Sequence, residues 1–409
     1  MVPVTGRPLR PPREARQELR AEQERLYDRQ PAVSVRLSAI CGRVLAEPVD
    51  ADDPIPAHDR ATMDGFACDA TDSLPLPVAS EAVYPEDEPP TGLSGAAVPV
   101  STGAPLPDHA TAVLKREDVT VADGRLVSAD AGTLDPGMNV SPRGSSVARD
   151  ERVFEAGDRL APRHAALLRD MGRDRAMVRD RIDVGIVATG TEIHDGIQPD
   201  RDSEMLAGLV RSWGHDPTIA GSVPDVRGQV RDTVAALAAD HRVVLTTGGT
   251  GAGDKDAVTA ALGDLGTRLF EGVALRPGRP VAAARLPEPG AVVVALPGKP
   301  VAAYVAAVLV ARSLFVGPLR PVPTVETTLR CSLAVPDRDV TFAVPMAMTE
   351  MGTVPLGHAD SSLSVFGERF RPGRIASSTR AMCADALWLT ETGATAGDEI
   401  PVIPMGVLR

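Results

Sequence analysis

The chain has 409 residues, 43% hydrophobic and 24% charged, and its 43 Lys and Arg against 55 Asp and Glu leave a formal charge of −12. This is the balance of a soluble globular protein too long for one ordinary core, so two to four domains are expected. The acidic balance argues against nucleic acid as a partner, and the longest uncharged apolar run, Val301 to Ala311, is too short to cross a bilayer.

The N-terminal MVPVTGRPLRPPRE has no apolar stretch that would make it a secretory signal, and residues 1–14 read as a disordered tail. Glu14 to Arg29 is charged and helix-favouring, and a second helical stretch is expected over Leu37 to Leu45. Residues 51–137 change character to short apolar runs broken by Pro, Gly and Asp, the punctuation of a β-rich domain. Residues 15–50 and 138–181 flank it as a discontinuous N-terminal and linker domain. The second segment closes on a helix from Ala161 to about Met171 that Gly172 would end.

Residues 182–321 alternate apolar strands with helical stretches. Strands are expected at Ile182–Ala188, Arg242–Thr247, Arg268–Ala274, Val281–Arg285 and Val292–Leu296. Helices are expected at Asp202–Gly214, Val226–Asp240, Ala257–Leu265 and Val301–Phe315. This rhythm predicts a mostly parallel sheet covered on both faces. Residues 322–409 return to a strand-like, Pro- and Gly-rich pattern, a small C-terminal β domain. The four cysteines, Cys41, Cys68, Cys331 and Cys383, lie far apart without a CxxC spacing. Neither a zinc site nor a disulfide framework is expected, and a reducing cytoplasm fits.

The strongest chemical signal is Thr246-Thr-Gly-Gly-Thr-Gly-Ala-Gly-Asp-Lys-Asp256, between a strand and a helix. Glycines at 248, 249, 251 and 253 let backbone N–H groups converge on an anion, and the following helix adds its positive end. The loop departs from a Walker A sequence because Asp254 stands where Lys is required. A carboxylate beside bare phosphate repels it unless a divalent metal intervenes, so diphosphate with Mg²⁺ is the chemistry expected. The structural alternative is a tight turn with Asp256 as helix cap.

Thr191 and Glu192 follow a strand of the same sheet, where open parallel sheets bind ligands. Leu275-Arg-Pro-Gly-Arg-Pro280 and Leu296-Pro-Gly-Lys-Pro300 each present cations on a Pro-Gly turn. Arg276, Arg279 and Lys299 could fork an oxyanion. Lys299 and Lys255 are two of only three lysines in the chain, the third being Lys115.

In order, MDGFA (63–67), STGAPLP (101–107), KRED (115–118), VATGTEI (187–193), GGTGAGDKD (248–256), LRPGRP (275–280) and LPGKP (296–300) resemble the motifs of molybdopterin molybdenumtransferases. That family includes bacterial MoeA and the E domain of gephyrin, and the resemblance runs from about residue 15 to 405. It implies a three-layer α/β molybdopterin-binding domain, a β-rich domain and a C-terminal β-barrel-like domain. It also implies insertion of molybdate into adenylated molybdopterin with release of AMP, dependent on a divalent metal.

Carried over by motif, Asp64, Thr102 and Glu192 are catalytic, with Glu192 also a candidate for the pterin, and Asp225 and Asp256 hold the metal. Thr191, Gly248, Gly249, Gly251, Gly253, Asp254, Lys255, Arg276, Arg279, Lys299 and Ser377 bind substrate, Ser377 by a loose match. In the family the residues matching Asp64 and Thr102 come from a partner subunit, which implies a homodimer with a shared site. No nucleic acid or membrane partner is implied.

The chain departs from the family's pattern at Ser145-Ser146, where two carboxylates are usual, and at Glu204, where Asp202-Ser203-Asn is usual. It also departs at Lys299, where an Asn is usual, and at Arg276 and Arg279, where lysines are usual. A non-catalytic molybdopterin-binding carrier or scaffold is the alternative these departures raise. A generic nucleotide-dependent enzyme rests on the glycine loop alone.

Overall fold

The structure is a computed structural model, and it describes residues 9–129, 134–249, 257–287, 290–316, 322–336, 339–358 and 370–408. At its centre is a six-stranded sheet. Its strands lie side by side in the order Asp216–Val223, Asp183–Thr189, Val243–Thr247, Val292–Leu296, Ala282–Arg285, Thr267–Glu271. The first four run parallel; Ala282–Arg285 runs antiparallel to them, and Thr267–Glu271, antiparallel to Ala282–Arg285, returns to their direction. Val243–Thr247 and Val292–Leu296 are buried at every position, as strands covered on both faces must be.

One face carries Ser203–Ser212, Pro300–Leu309 and the N-terminal helix Pro12–Arg29, and the other carries Arg227–Asp240 and Ala257–Leu265. The multidomain α/β-plus-β class read from the sequence is the class observed. Strand Asp216–Val223 is an addition to it. This strand lies at the sheet edge, pairs on one side only and is mostly exposed, so its Pro217 and Gly221 disturb no central ladder.

Helix Pro12–Arg29 places Ala15, Leu19 and Leu26 in the core of the α/β unit. Its far end is pinned by polar contacts. Gln23 Nε2 donates to the Val316 carbonyl at 2.6 Å, and the Tyr27 hydroxyl donates to the Phe315 carbonyl at 2.8 Å. His215 completes the junction: Nδ1 accepts from the Ile182 N–H at 3.1 Å, so Nε2 carries the proton and donates to the Phe315 carbonyl at 2.9 Å.

The helix expected over Leu37 to Leu45 is instead a single 3₁₀ turn, Leu37–Ala39. Ile40 caps it, and Gly42 at φ 75° then turns the chain where a Cβ would lie 3.2 Å from the Gly214 Cα, bringing the two glycines together. The helix expected from Ala161 is His164–Asp170, and Gly172 at φ 73° follows it in the C-terminal cap region.

Three two-stranded ribbons join the segments on either side of the β-rich part. Ala32–Arg36 pairs with Arg175–Arg179, Val49–Asp50 with Arg152–Phe154, and Arg60–Ala61 with Val140–Ser141. Between them, Gly65–Cys68 is the middle strand of a three-stranded sheet with Val98–Val100 and Ala112–Lys115. The hairpin Val119–Ala122 to Arg125–Ala129 turns on Asp123-Gly124, both at positive φ, the signature of a two-residue primed turn.

In the C-terminal part, Leu275–Arg276, Thr341–Thr349, Ala386–Thr390, Glu399–Pro404 and Val325–Thr328 form a sheet in that order, with Gly352–Pro355 paired to Thr341–Thr349. A bridge between Leu329 and Thr353 brings its two ends together, giving a barrel-like closure. Phe342, Val344, Leu387 and Trp388 share one core with Val305, Leu309 and Phe315 of the α/β unit. Helix Pro300–Leu309 is therefore buried on nearly every side, as its PVAAYVAAVL sequence requires. Among the described residues no helix is long and apolar enough to cross a membrane.

Candidate active site

The four parallel strands end on one side of the sheet, and each hands its chain to a turn facing a single cleft of about 420 Å³. The strand Asp183–Thr189 delivers Thr189 and Glu192, Asp216–Val223 delivers Asp225, Val243–Thr247 delivers Gly248 and Gly249, and Val292–Leu296 delivers Lys299. The chain runs outward from Asp183–Thr189 to the edge strand and then back across it to Val243–Thr247. The crevice thus lies where strand order reverses, the usual ligand position in open α/β sheets.

Arg276 and Arg279 enter the same cleft from the Leu275–Arg276 strand and the turn after it. That strand is held in parallel pairing by Thr341 and Phe342, so the C-terminal sheet sets the position of the two guanidinium-bearing residues. Gly373 and Ala376 close the rim. Ser377, the next residue, is exposed, and its Oγ lies 3.5 Å from the Gly373 carbonyl. Two carboxylates and three cations therefore converge on one cleft from motifs well separated along the chain.

Local geometry explains the glycines. Gly248 sits at φ 90°, and a Cβ there would lie 2.1 Å from the Thr189 carbonyl oxygen. A Cβ on Gly249 would meet Val258 Cγ2 at 2.6 Å, Thr189 Oγ1 at 2.7 Å and Asp225 Oδ1 at 3.1 Å. Neither position admits a side chain, and backbone is what faces the cleft there. The Asp225 N–H donates to Thr191 Oγ1 at 3.3 Å, tying the turn after the edge strand to the one after its neighbour. Thr191 itself is exposed beside the cleft. Gly251, Gly253, Asp254, Lys255 and Asp256 lie outside the described residues.

Asp64 and Thr102 form a separate constellation. Asp64 Oδ1 accepts from the Thr102 N–H at 2.6 Å and from its hydroxyl at 2.8 Å. These two bonds hold the Asp64 carboxyl below the usual range, with Arg116 contributing. Both residues are exposed and neither lines this chain's cleft. Ser145 and Ser146 are likewise on an exposed turn away from the cleft. Among the described residues no cluster of three or more His, Cys, Asp or Glu is arranged for a metal. The donor set that is present, Asp225 near the glycine turn with Glu192 in the same cleft, suits Mg²⁺. That ion takes one or two protein carboxylates and completes its shell with phosphate oxygens and water.

Thr189, Gly298 and Ala302 also line the cleft. Thr189 and Gly298 lie within the VATGTEI and LPGKP motifs without being singled out by them, and Ala302 lies in no motif.

Fold and cleft together define a class: an α/β unit whose cleft, at the strand ends, is lined by cation-bearing turns and by residues of the C-terminal part. Comparison with known proteins gives the family. Residues 10–172 match the MoeA N-terminal region (domains I and II), and residues 185–315 match a probable molybdopterin binding domain. The chain is 31% identical over 291 residues to a molybdopterin molybdenumtransferase of Synechococcus elongatus, covering 65% of this chain and 70% of the relative. A Nostoc protein of the same name is 30% identical over 315 residues, covering 72% of this chain and 70% of that one. The fold matches the crystal structure of the molybdopterin biosynthesis moeA protein of Pyrococcus horikoshii OT3 with a TM-score of 0.74 at 22% identity, over 97% of this chain and 99% of that one. The chain belongs to the molybdopterin molybdenumtransferase family.

Proposed function

We propose that the protein is the transferase of molybdenum cofactor biosynthesis that inserts molybdate into adenylated molybdopterin and releases AMP. The convergence of Arg276, Arg279 and Lys299 with Glu192, Asp225 and the Gly248-Gly249 turn around one cleft carries this reading. Molybdate is a compact dianion, and two guanidinium groups with one ammonium provide charge-assisted donors for it in an otherwise acidic protein. Gly248 and Gly249 offer the close backbone approach that a diphosphate needs.

Asp225 and Asp256 would hold Mg²⁺, which when bound offsets diphosphate charge as the bond to AMP breaks. Glu192 faces the ligand from the same end of the adjacent strand, where it orients the pterin or exchanges a proton. Asp64, kept ionised and rigid by Thr102, completes the site of a partner copy in a homodimer. The ligand's own dithiolene sulfurs take the molybdenum, so no protein cysteine is needed. A reducing cytoplasm is the compartment in which such thiolates persist.

The test is AMP release from adenylated molybdopterin by the purified protein, with and without molybdate and Mg²⁺. AMP release that requires both supports the reading. Tight ligand binding with no AMP release under any condition would instead support the carrier alternative.

A further inference from the structure

Beneath the cleft lies a buried carboxyl that the proposed chemistry does not use. Asp202 is only 5% exposed and precedes helix Ser203–Ser212. A carboxylate there would ordinarily cap the helix, but its side chain makes no cap bond. Asp200 Oδ1 takes the Asp202 and Ser203 N–H groups instead, at 2.9 and 3.0 Å. The Asp202 side chain turns to the sheet. Its Oδ2 lies 2.7 Å from Thr247 Oγ1, and Thr247 Oγ1 lies 3.2 Å from the Pro297 carbonyl oxygen.

Proton counting decides the charge. A threonine hydroxyl has one proton and cannot donate to both a carboxylate and a carbonyl. If Asp202 is ionised, Thr247 donates to it and two acceptors, Oγ1 and the Pro297 oxygen, are left facing each other. If Asp202 is protonated, each link has a donor: Oδ2–H to Thr247 Oγ1, then Oγ1–H to the Pro297 carbonyl. The other oxygen, Oδ1, is buried with no hydrogen-bond partner among the described residues. That is a tolerable position for the carbonyl oxygen of a neutral acid and a costly one for an anion. Burial, reinforced by the nearby Asp200, raises the Asp202 carboxyl above its ordinary range, while the Thr247 bond and Arg201 act against this.

We propose that Asp202 is a positioning residue: as a neutral acid it donates to Thr247, so that the Thr247 hydroxyl holds the Pro297 carbonyl and fixes the Pro297-Gly298-Lys299 turn beside Gly248. The chain of bonds joins the start of one helix, the end of one central strand and the turn carrying Lys299, and each link is buried. Asp202 touches no ligand atom in this scheme. Its effect on oxyanion binding rests on the function proposed above, whereas its protonation does not.

Two measurements on the full-length protein test it. An infrared difference spectrum between wild type and Asp202→Asn at neutral pH should contain the C=O stretch of a protonated carboxyl. Carboxylate bands alone would overturn the proposal. Molybdate titration of four variants tests the positioning. Asn donates an N–H to Thr247 as the neutral acid does, so Asp202→Asn should keep molybdate affinity within about twofold, and Thr247→Ser should do the same. Thr247→Val and Asp202→Ala should weaken it about tenfold, the scale of one lost buried hydrogen bond. If Asp202→Asn is as impaired as Thr247→Val, the neutral-acid relay is wrong. Should the Val and Ala variants fail to fold, the spectrum and the Asn and Ser variants still decide. Wild-type protein that shows the protonated band yet binds no molybdate would sink the functional reading and leave the proton assignment standing.

Discussion

Gly298 packs directly on Gly248: a Cβ built on Gly298 would lie 2.9 Å from the Gly248 Cα and 3.4 Å from its nitrogen. The turn presenting Lys299 and the turn opening the glycine loop are therefore a single unit whose spacing depends on two missing side chains. The obstacle at Gly298 is backbone, which cannot swing aside as a side-chain tip would.

Gly298→Ala should push the two turns apart. Overpacking of this kind costs about 1–3 kcal/mol, and AMP release should fall far more than the melting temperature. Gly208→Ala is the control, because Gly208 lies within a helix and a Cβ added there would meet nothing within 4 Å. It should be neutral or raise stability by up to about 1 kcal/mol, from helix propensity. Thermal melts and AMP release on both variants check the contrast. Unchanged turnover in Gly298→Ala would refute the coupling of the turns.

A second expectation follows from the separation of Asp64 and Thr102 from this chain's own cleft. Asp64→Asn and Asp225→Asn should each be inactive alone. Mixed under conditions that exchange subunits, they should recover part of the activity, because a hybrid dimer contains one intact composite site. Strictly monomeric protein in light scattering, or no recovery despite proven exchange, would count against the shared site.

Lys299 provides a third. It lies in the cleft with Arg276 and Arg279 and adds an ammonium to two guanidinium groups. Lys299→Asn should weaken molybdate affinity by about 1–3 kcal/mol if the bond is charge-assisted and shielded from water, with binding of adenylated molybdopterin nearly unchanged. Titrations of both ligands distinguish the two effects. Tighter molybdate binding by the Asn variant would mean that Lys299 obstructs the site.

The fourth concerns acid stability. Burial pushes the His215 imidazole down to about 4 from 6.5, while its bond to the Phe315 carbonyl acts in the opposite direction. The folded protein keeps this histidine neutral, whereas the unfolded chain takes up a proton as pH falls through 6.5. The stabilisation is thus complete above that value and is lost on descending towards 4, amounting to about 3 kcal/mol across the window. Urea melts of wild type and His215→Gln between these pH values should show a steeper decline in the wild type. Parallel declines would exclude His215 as the source.

What the sequence makes legible is local. Pro-Gly turns with a cation, glycine runs after apolar strands and the Thr-Gly-Thr-Glu edge each declare a strand end. The parallel-sheet rule then directs those ends to one crevice, so Glu192, Gly248, Arg276, Arg279 and Lys299 are foreseeable as neighbours, whereas Asp225 is reached only through the family resemblance. The strand Asp216–Val223 is not foreseeable, because an exposed edge strand containing Pro and Gly lacks both alternation and an unbroken apolar run. The single turn at Leu37–Ala39 replaces the expected helix for another reason: Gly42 serves a contact with Gly214, far along the chain, and no periodicity encodes such a contact. Asp202, Thr247 and Pro297 are hidden in the same way. Each looks like an ordinary cap, strand or turn residue until the sheet brings the three together.

Helix Pro300–Leu309 has a bearing on how the protein can be divided. Its side chains are packed both by the central sheet and by the C-terminal sheet, with Tyr304 reaching Met405 Sδ at 3.9 Å. A fragment ending near residue 322 would retain every glycine and lysine of the cleft's sheet side, yet would expose a strip of Val, Ala and Leu to water. Such a fragment should precipitate or recruit a chaperone rather than act as a smaller ligand-binding module. Gene fusions or splits that respect this protein's solubility must therefore keep the C-terminal β domain with the sheet it covers.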